Sequence, residues 1–243
     1  MKNSRLRIFL LASAFLFLCS PFSLAETIIQ KKTSPPNQKF PEQPFISFSG
    51  GMGISLLSIA DIADYLNAHS TAPRIDEFQS FPEFFASAEI PFSTTLGVKF
   101  EYAYLFNTFT TTTLDYPLYE FVQLHMPTVF IQKLFPKNLS IIKLGAGIGY
   151  HFGSVEETYL GSALAYRSRG IGLKGEVEGN TALSESLFAY FAVDLRINFQ
   201  GTLRADNGAT LDYWYYAGEE RYRRAASLTF FSLGLKLGLI VYV

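Results

Sequence analysis

Phe231-Ser232-Leu233-Gly234-Leu235-Lys236-Leu237-Gly238-Leu239-Ile240-Val241-Tyr242-Val243 decides the fold. Every odd position is apolar, and Ser232, Gly234, Lys236 and Gly238 take the even ones before Ile240 and Tyr242. A β-strand sends successive side chains to opposite faces, so strict alternation marks a strand lying between two unlike environments.

Seven earlier segments repeat the pattern, at about 45–56, 82–91, 95–107, 119–133, 140–152, 170–179 and 187–200. In the fifth, Ile142, Leu144, Ala146, Ile148, Tyr150 and Phe152 alternate with Lys143, Gly145, Gly147, Gly149 and His151. In the seventh, Leu187, Ala189, Phe191, Val193, Leu195, Ile197 and Phe199 oppose Tyr190, Asp194, Arg196, Asn198 and Gln200. The fourth is the least regular; its pattern assigns Leu124, Met126 and Phe130 to the apolar face and Gln123, His125 and Pro127 to the other. Short connections follow strands two, four and six, whereas about 57–81, 108–118, 153–169 and 201–226 are expected to be long loops. Short turns on one rim and long loops on the other describe an all-β chain folded as an eight-stranded antiparallel up-and-down transmembrane β-barrel.

Alternation alone leaves open which face meets solvent, since soluble ligand-binding barrels also alternate. Three features favour apolar side chains outside. The apolar stripes run for five to seven positions, close to what a spanning strand of ~9–11 residues needs. The opposite faces carry glycines and charges of both signs. Aromatics such as Tyr102, Tyr104, Phe106, Tyr150 and Phe152 collect at stripe ends, where a membrane–water boundary favours them. The lumen should then hold Lys99, Lys143, Lys174, Arg196 and Lys236 against Glu83, Glu89, Glu101, Glu176, Glu178 and Asp194. An eight-stranded lumen is just wide enough to be filled by side chains. These ions are therefore expected to form a near-neutral salt-bridge plug rather than an open path.

Composition agrees. The 243 residues are 49% hydrophobic and 17% charged, with a net charge of −1, which excludes a disordered chain and gives no reason to expect a nucleic-acid partner. Residues 1–25 read as a signal peptide: Lys2, Arg5 and Arg7, an apolar run from Ile8 to Leu18, and Ser23-Leu24-Ala25 before the cleavage point. An uncleaved membrane anchor and acylation at Cys19 are the rival readings of that segment. Cleavage would remove the single cysteine and leave a net charge of −4. Residues 26–44, with Pro35, Pro36, Pro41 and Pro44, read as a flexible Pro/Lys-rich periplasmic arm, and 45–243 as the barrel. Export of this kind places the protein in the outer membrane of a Gram-negative-type bacterium.

From about residue 45 to 243 the chain resembles the small eight-stranded outer-membrane barrels, the OmpA-type transmembrane domain and its relatives. The resemblance rests on the strand pattern and on glycine–hydrophobic stretches such as Leu144-Gly145-Ala146-Gly147-Ile148-Gly149-Tyr150 and Ser232-Leu233-Gly234-Leu235-Lys236-Leu237. Where such barrels often end in Phe, this chain ends Tyr242-Val243. The resemblance implies outer-membrane lipids, lipopolysaccharide and the barrel-assembly machinery as partners, and an integral protein with a structural or surface-binding role.

Two alternatives come with it: a lipid A-modifying enzyme of the deacylase type, and a narrow ion channel. Deacylase relatives use a His, a Ser and a carboxylate at the outer rim, for which His151, Ser154 and Glu156 or Glu157 are the nearest match. A spacing of three puts His151 and Ser154 on opposite faces of a regular strand, and only a bend at Gly153 would unite them. His125 is expected to be a packed interior imidazole, and His69 falls in a loop. No spacing suggests a metal or cofactor site, and Asn138-Leu139-Ser140 falls in a short inner turn. Surface binding points to Tyr213-Trp214-Tyr215-Tyr216 and Arg221-Tyr222-Arg223-Arg224, where aromatics and arginines combine. In the first long loop, Ile59, Ile62 and Leu66 share a helical face, Ser58 is placed to cap it, and Asp61 and Asp64 are expected to be solvated.

Overall fold

The computed structural model describes residues 46–71, 74–112, 117–137, 140–184, 186–217 and 220–243. The expected signal peptide and arm lie outside the described residues, as does most of the Asn138-Leu139-Ser140 turn. Strand β1 spans Ser47–Ser58 and is followed by helix α1, Ala60–His69. Then come β2 (Phe78–Pro91), β3 (Leu96–Thr112), β4 (Pro117–Pro136), β5 (Ser140–Tyr159), β6 (Ser162–Ala182) and β7 (Leu187–Gln200). The short strands β8 (Arg204–Ala205), β9 (Asp212–Ala217) and β10 (Glu220–Ala225) precede the last long one, β11 (Phe230–Tyr242).

Strands β1 to β7 and β11 form a closed antiparallel barrel. Their order is β5-β4-β3-β2-β1-β11-β7-β6, and β6 returns to β5 along a ladder from Ser140↔Thr181 to Tyr159↔Ser162. The last strand reads as its sequence dictates: Leu237 is 62% exposed on the outer wall while its neighbour Lys236 is 0% exposed in the lumen. Phe48, Met52, Ile54, Phe100, Leu144, Ile148, Leu173, Leu195 and Leu239 join Leu237 on the exposed exterior. A wall this apolar is stable only against hydrocarbon or another apolar phase.

Three expectations are corrected. Strand β4 faces the other way: Val122, Leu124, Met126, Phe130 and Leu134 are buried in the lumen, while Tyr119, Val129, Ile131 and Phe135 are exposed outside. His125 is therefore on the exterior, where its Nδ1 lies 2.6 Å from the Tyr102 hydroxyl and its ring 5.0 Å from that of Tyr104. The second correction concerns the connections. The segment 153–169 is no loop, because β5 and β6 continue as a ribbon to a two-residue turn at Leu160-Gly161. Both turn residues have positive φ, 51° and 78°, the backbone that a tight hairpin with the native strand twist requires. Likewise β3 and β4 pair as far as Thr112↔Pro117, so most of 108–118 is strand.

The third correction accounts for the inward Val122, Leu124 and Met126. The strands outrun the lipid-facing band: beyond Phe106 the outward residues of β3 are Thr108, Thr110 and Thr112, all exposed. Inside this upper storey the lumen is mainly apolar. Ile62 and Leu66 of α1 pack with Leu57, Phe81, Phe109, Leu118, Val122, Leu124 and Val155 from the strands and with Leu203, Leu211 and Leu228 from the last loop. The helix begins after Ile59 with no side-chain cap, so Ser58 does not serve as one. Burial of its apolar face holds it instead, since a ten-residue helix is marginal without tertiary packing.

Leu66→Ala is expected to weaken this mouth plug by ~2–5 kcal/mol. The readout is amide exchange over residues 60–69, which should accelerate while the barrel strands stay protected.

Candidate functional site

Below the apolar storey the inward faces of the strands bring eleven ions together, all of them nearly inaccessible. Lys236 stands at the centre, 2.7 Å from Glu101, 3.0 Å from Glu176 and 3.4 Å from Asp194. Lys174 pairs with Glu101 and lies 3.2 Å from both Glu176 and Asp194. Lys99 pairs with Glu176 and sits 3.0 Å from Glu178. Lys143 pairs with Glu89 and sits 3.0 Å from Glu178 at the end nearer the short turns. Arg196 closes the other end, donating to Glu83 at 2.5 Å and to Asp194 at 2.9 Å.

Neutral donors and rings complete the column. Ser55 donates to Glu83 at 2.6 Å and Asn180 to Glu178 at 2.8 Å. The Lys99 ammonium lies 5.0 Å from the Phe130 ring centre and that of Lys236 4.9 Å from the Phe85 ring. Each ion thus has partners, which is the condition for burying charge at tolerable cost.

His151 lies between the two storeys. It is buried, with Nδ1 3.0 Å from Asn198 Oδ1 and Nε2 3.3 Å from Thr128 Oγ1. Its ring lies against Gly172, where a Cβ would come within 2.0 Å of Cε1, so only glycine fits there. Ser154 is on the outer face and Gly153 keeps the strand regular, so His151 and Ser154 point to opposite sides of the wall. Glu156 is exposed, and Glu157 accepts a hydrogen bond from Tyr65 of α1. No nucleophile and base meet here, and among the described residues no three His, Cys, Asp or Glu side chains gather around a metal-sized space.

The aromatic and arginine residues of the last loop form a separate hairpin, β9 with β10, in which Arg223 faces Trp214 and Arg224 faces Tyr213. The Arg221 guanidinium stacks over Trp214 at 4.3 Å, and Arg223 Nε donates to Asp212 at 2.9 Å. Trp214 and Tyr222 are exposed, whereas Tyr213 is buried against the plug. The side chains of Tyr215 and Tyr216 lie outside the described residues. Asp61, expected in solvent, instead fastens this loop to α1: it accepts from Ser227 N at 3.0 Å and Ser227 Oγ at 2.7 Å and pairs with Arg224 at 3.0 Å. Asp64 remains partly exposed, 3.8 Å from Arg74.

No known family's sequence model matches the chain, and no curated protein matches it in sequence. Solved structures do match in shape. Neisserial surface protein A aligns with a TM-score of 0.53 at 12% identity, over 82% of this chain and 97% of its own. A major outer membrane protein of Thermus thermophilus aligns at 0.51 and 14% identity, over 82% and 99%. OprG of Pseudomonas aeruginosa aligns at 0.51 and 12%, over 84% and 99%. The chain has the fold of the small eight-stranded outer-membrane barrels.

One residue of the mouth had no counterpart in the sequence reading. Glu120, on the inward face of β4, is fully buried with both carboxylate oxygens unpaired among the described residues. It lies directly across the ladder from Glu157, above the lipid-facing band. Burial first, and Glu157 second, push its carboxyl from 4.5 up to about 8. The Tyr65 phenol beside them is pushed well up by burial and by its bond to Glu157. A carboxyl whose folded value is raised stabilises the fold fully below 4.5 and loses that contribution as pH rises through about 8. Exchange at 60–69, corrected for the intrinsic pH dependence of amide exchange, should therefore quicken between about pH 5 and pH 9 in the wild type, and Glu120→Gln should flatten the profile. A flat wild-type profile contradicts the assignment.

Proposed function

We propose that this protein is an integral outer-membrane barrel of a Gram-negative-type bacterium, closed to ions, whose role is structural or surface-binding. The observation that carries the reading is the pairing of an apolar band on the exterior with an inward face of packed, buried side chains. Eleven mutually paired ions occupy the part level with the apolar wall, and α1 with the last loop occupies the mouth. In hydrocarbon every backbone donor and acceptor needs a partner within the protein, and a closed ring of strands supplies one without leaving an edge. Export through the signal peptide, delivery by the barrel-assembly machinery and contact with lipopolysaccharide belong to the same proposal.

The surface role falls to the β9–β10 hairpin, which carries exposed Trp214 and Tyr222 with Arg221 stacked on the indole. Aromatic and arginine side chains of this kind dominate protein and carbohydrate contacts. The enzyme reading finds no support in the opposed faces of His151 and Ser154, and the channel reading none in the filled column.

Two measurements test this. The purified protein should migrate differently before and after boiling, and reconstituted in a planar bilayer it should stay silent; steady conductance would favour a channel. Lys236→Met leaves Glu101, Glu176 and Asp194 short of a cation and is expected to cost ~3–5 kcal/mol. That loss should appear as a lower urea midpoint for the unboiled band.

A further inference from the structure

On the outer wall, just above the aromatic belt, three arginines share one patch. Arg167 of β6 lies directly opposite Arg204 of β8 in the ladder. Arg169 is two residues further on the same exposed face, paired with Phe152 of the belt. Like charges directly opposite on a sheet destabilise it. One carboxylate answers them: Asp206 lies 2.9 Å from Arg167, both well exposed. The side chains of Arg169 and Arg204 have neither a hydrogen bond nor an ion pair among the described residues.

The next outward residue below Arg169 is Ile171, across from Tyr150. These two close one end of a shallow apolar depression of about 850 Å³ that runs across the outer wall from β1 to β6, bordered by Phe48 and Phe100 and floored by Ala86 and Pro127. A cationic patch thus adjoins an apolar trough on the same face, at the level where the wall passes from apolar to polar.

We propose that Arg167, Arg169 and Arg204 bind the phosphate of an outer-leaflet lipid whose acyl chain lies in the depression below them. The guanidinium fork matches phosphate oxygens in paired hydrogen bonds, and an anion between Arg167 and Arg204 removes their mutual repulsion. The trough supplies the area that a free phosphate ion would not use. The inference rests on the proposed reading of the wall as lipid-facing.

Native mass spectrometry of the full chain in detergent tests it, with diphosphorylated lipid A, the same lipid A stripped of phosphate, and inorganic phosphate as probes. The wild type should retain the diphosphorylated form, and Arg167→Gln/Arg169→Gln/Arg204→Gln should lose about a hundredfold, at roughly fivefold per interfacial arginine. Should the triple variant fail to fold, Arg169→Gln alone should lose about fivefold. Lys133→Gln, near the short-turn rim, should change nothing. Equal retention by the arginine variants overturns the site. Equal retention of dephosphorylated lipid A assigns the binding to apolar contact alone, and displacement by millimolar inorganic phosphate assigns it to a free anion; either result overturns the proposal. A band shift on boiling that persists without lipid selectivity defeats this inference only, whereas a chain soluble without detergent defeats the reading beneath it.

Discussion

Closure of the β5–β6 ladder is the constraint on which the rest of the molecule depends. A sheet with an apolar exterior has nowhere to put an open edge, because unpaired backbone groups facing hydrocarbon cost several kcal/mol each. Joining the two ends of the sheet removes the edge and at the same time creates a lumen. That lumen is too narrow for bulk water, so its side chains must satisfy one another. The ion column answers that demand: each of Lys99, Lys143, Lys174, Arg196 and Lys236 meets at least two carboxylates.

The lumen is filled by two chemistries because its surroundings change along the axis. Level with the apolar wall, the inward face is charged and the outward face greasy. Above it, the strands stand in water, the outward face turns to threonine and glutamate, and the inside becomes a hydrophobic core of ordinary composition. Helix α1 belongs to that core. Asp61 and Tyr65 tie it to the last loop and to β5.

Strict alternation made seven of the strands legible with their faces, from Phe48 and Leu144 outside to Lys143 and Lys236 inside. It failed at β4, and the reason is the change of chemistry just described. Val122, Leu124 and Met126 serve the upper core, so their hydrophobicity marks the inside of the barrel there, while the outside is held by His125 and Pro127 in the aromatic belt. A rule that equates apolar with lipid reverses such a strand. The same reversal hid Glu120. The long ribbons of β3–β4 and β5–β6 were hidden differently, since threonine- and glutamate-rich strand in water has no apolar stripe to betray it. The helix was visible in Ile59, Ile62 and Leu66, but the partners of Asp61 lie more than 150 residues away and leave no local trace.

The β9–β10 ribbon forms a two-stranded sheet of its own, outside the ladder of the barrel. Its shape is therefore specified by its own register, and Asp61, Tyr213 and Arg224 moor its base. Beyond that base, Trp214 and Tyr222 are exposed. Such an arrangement makes the exposed face of the ribbon an interchangeable cassette: evolution or an engineer can rewrite what it displays while the cylinder beneath is left unaltered.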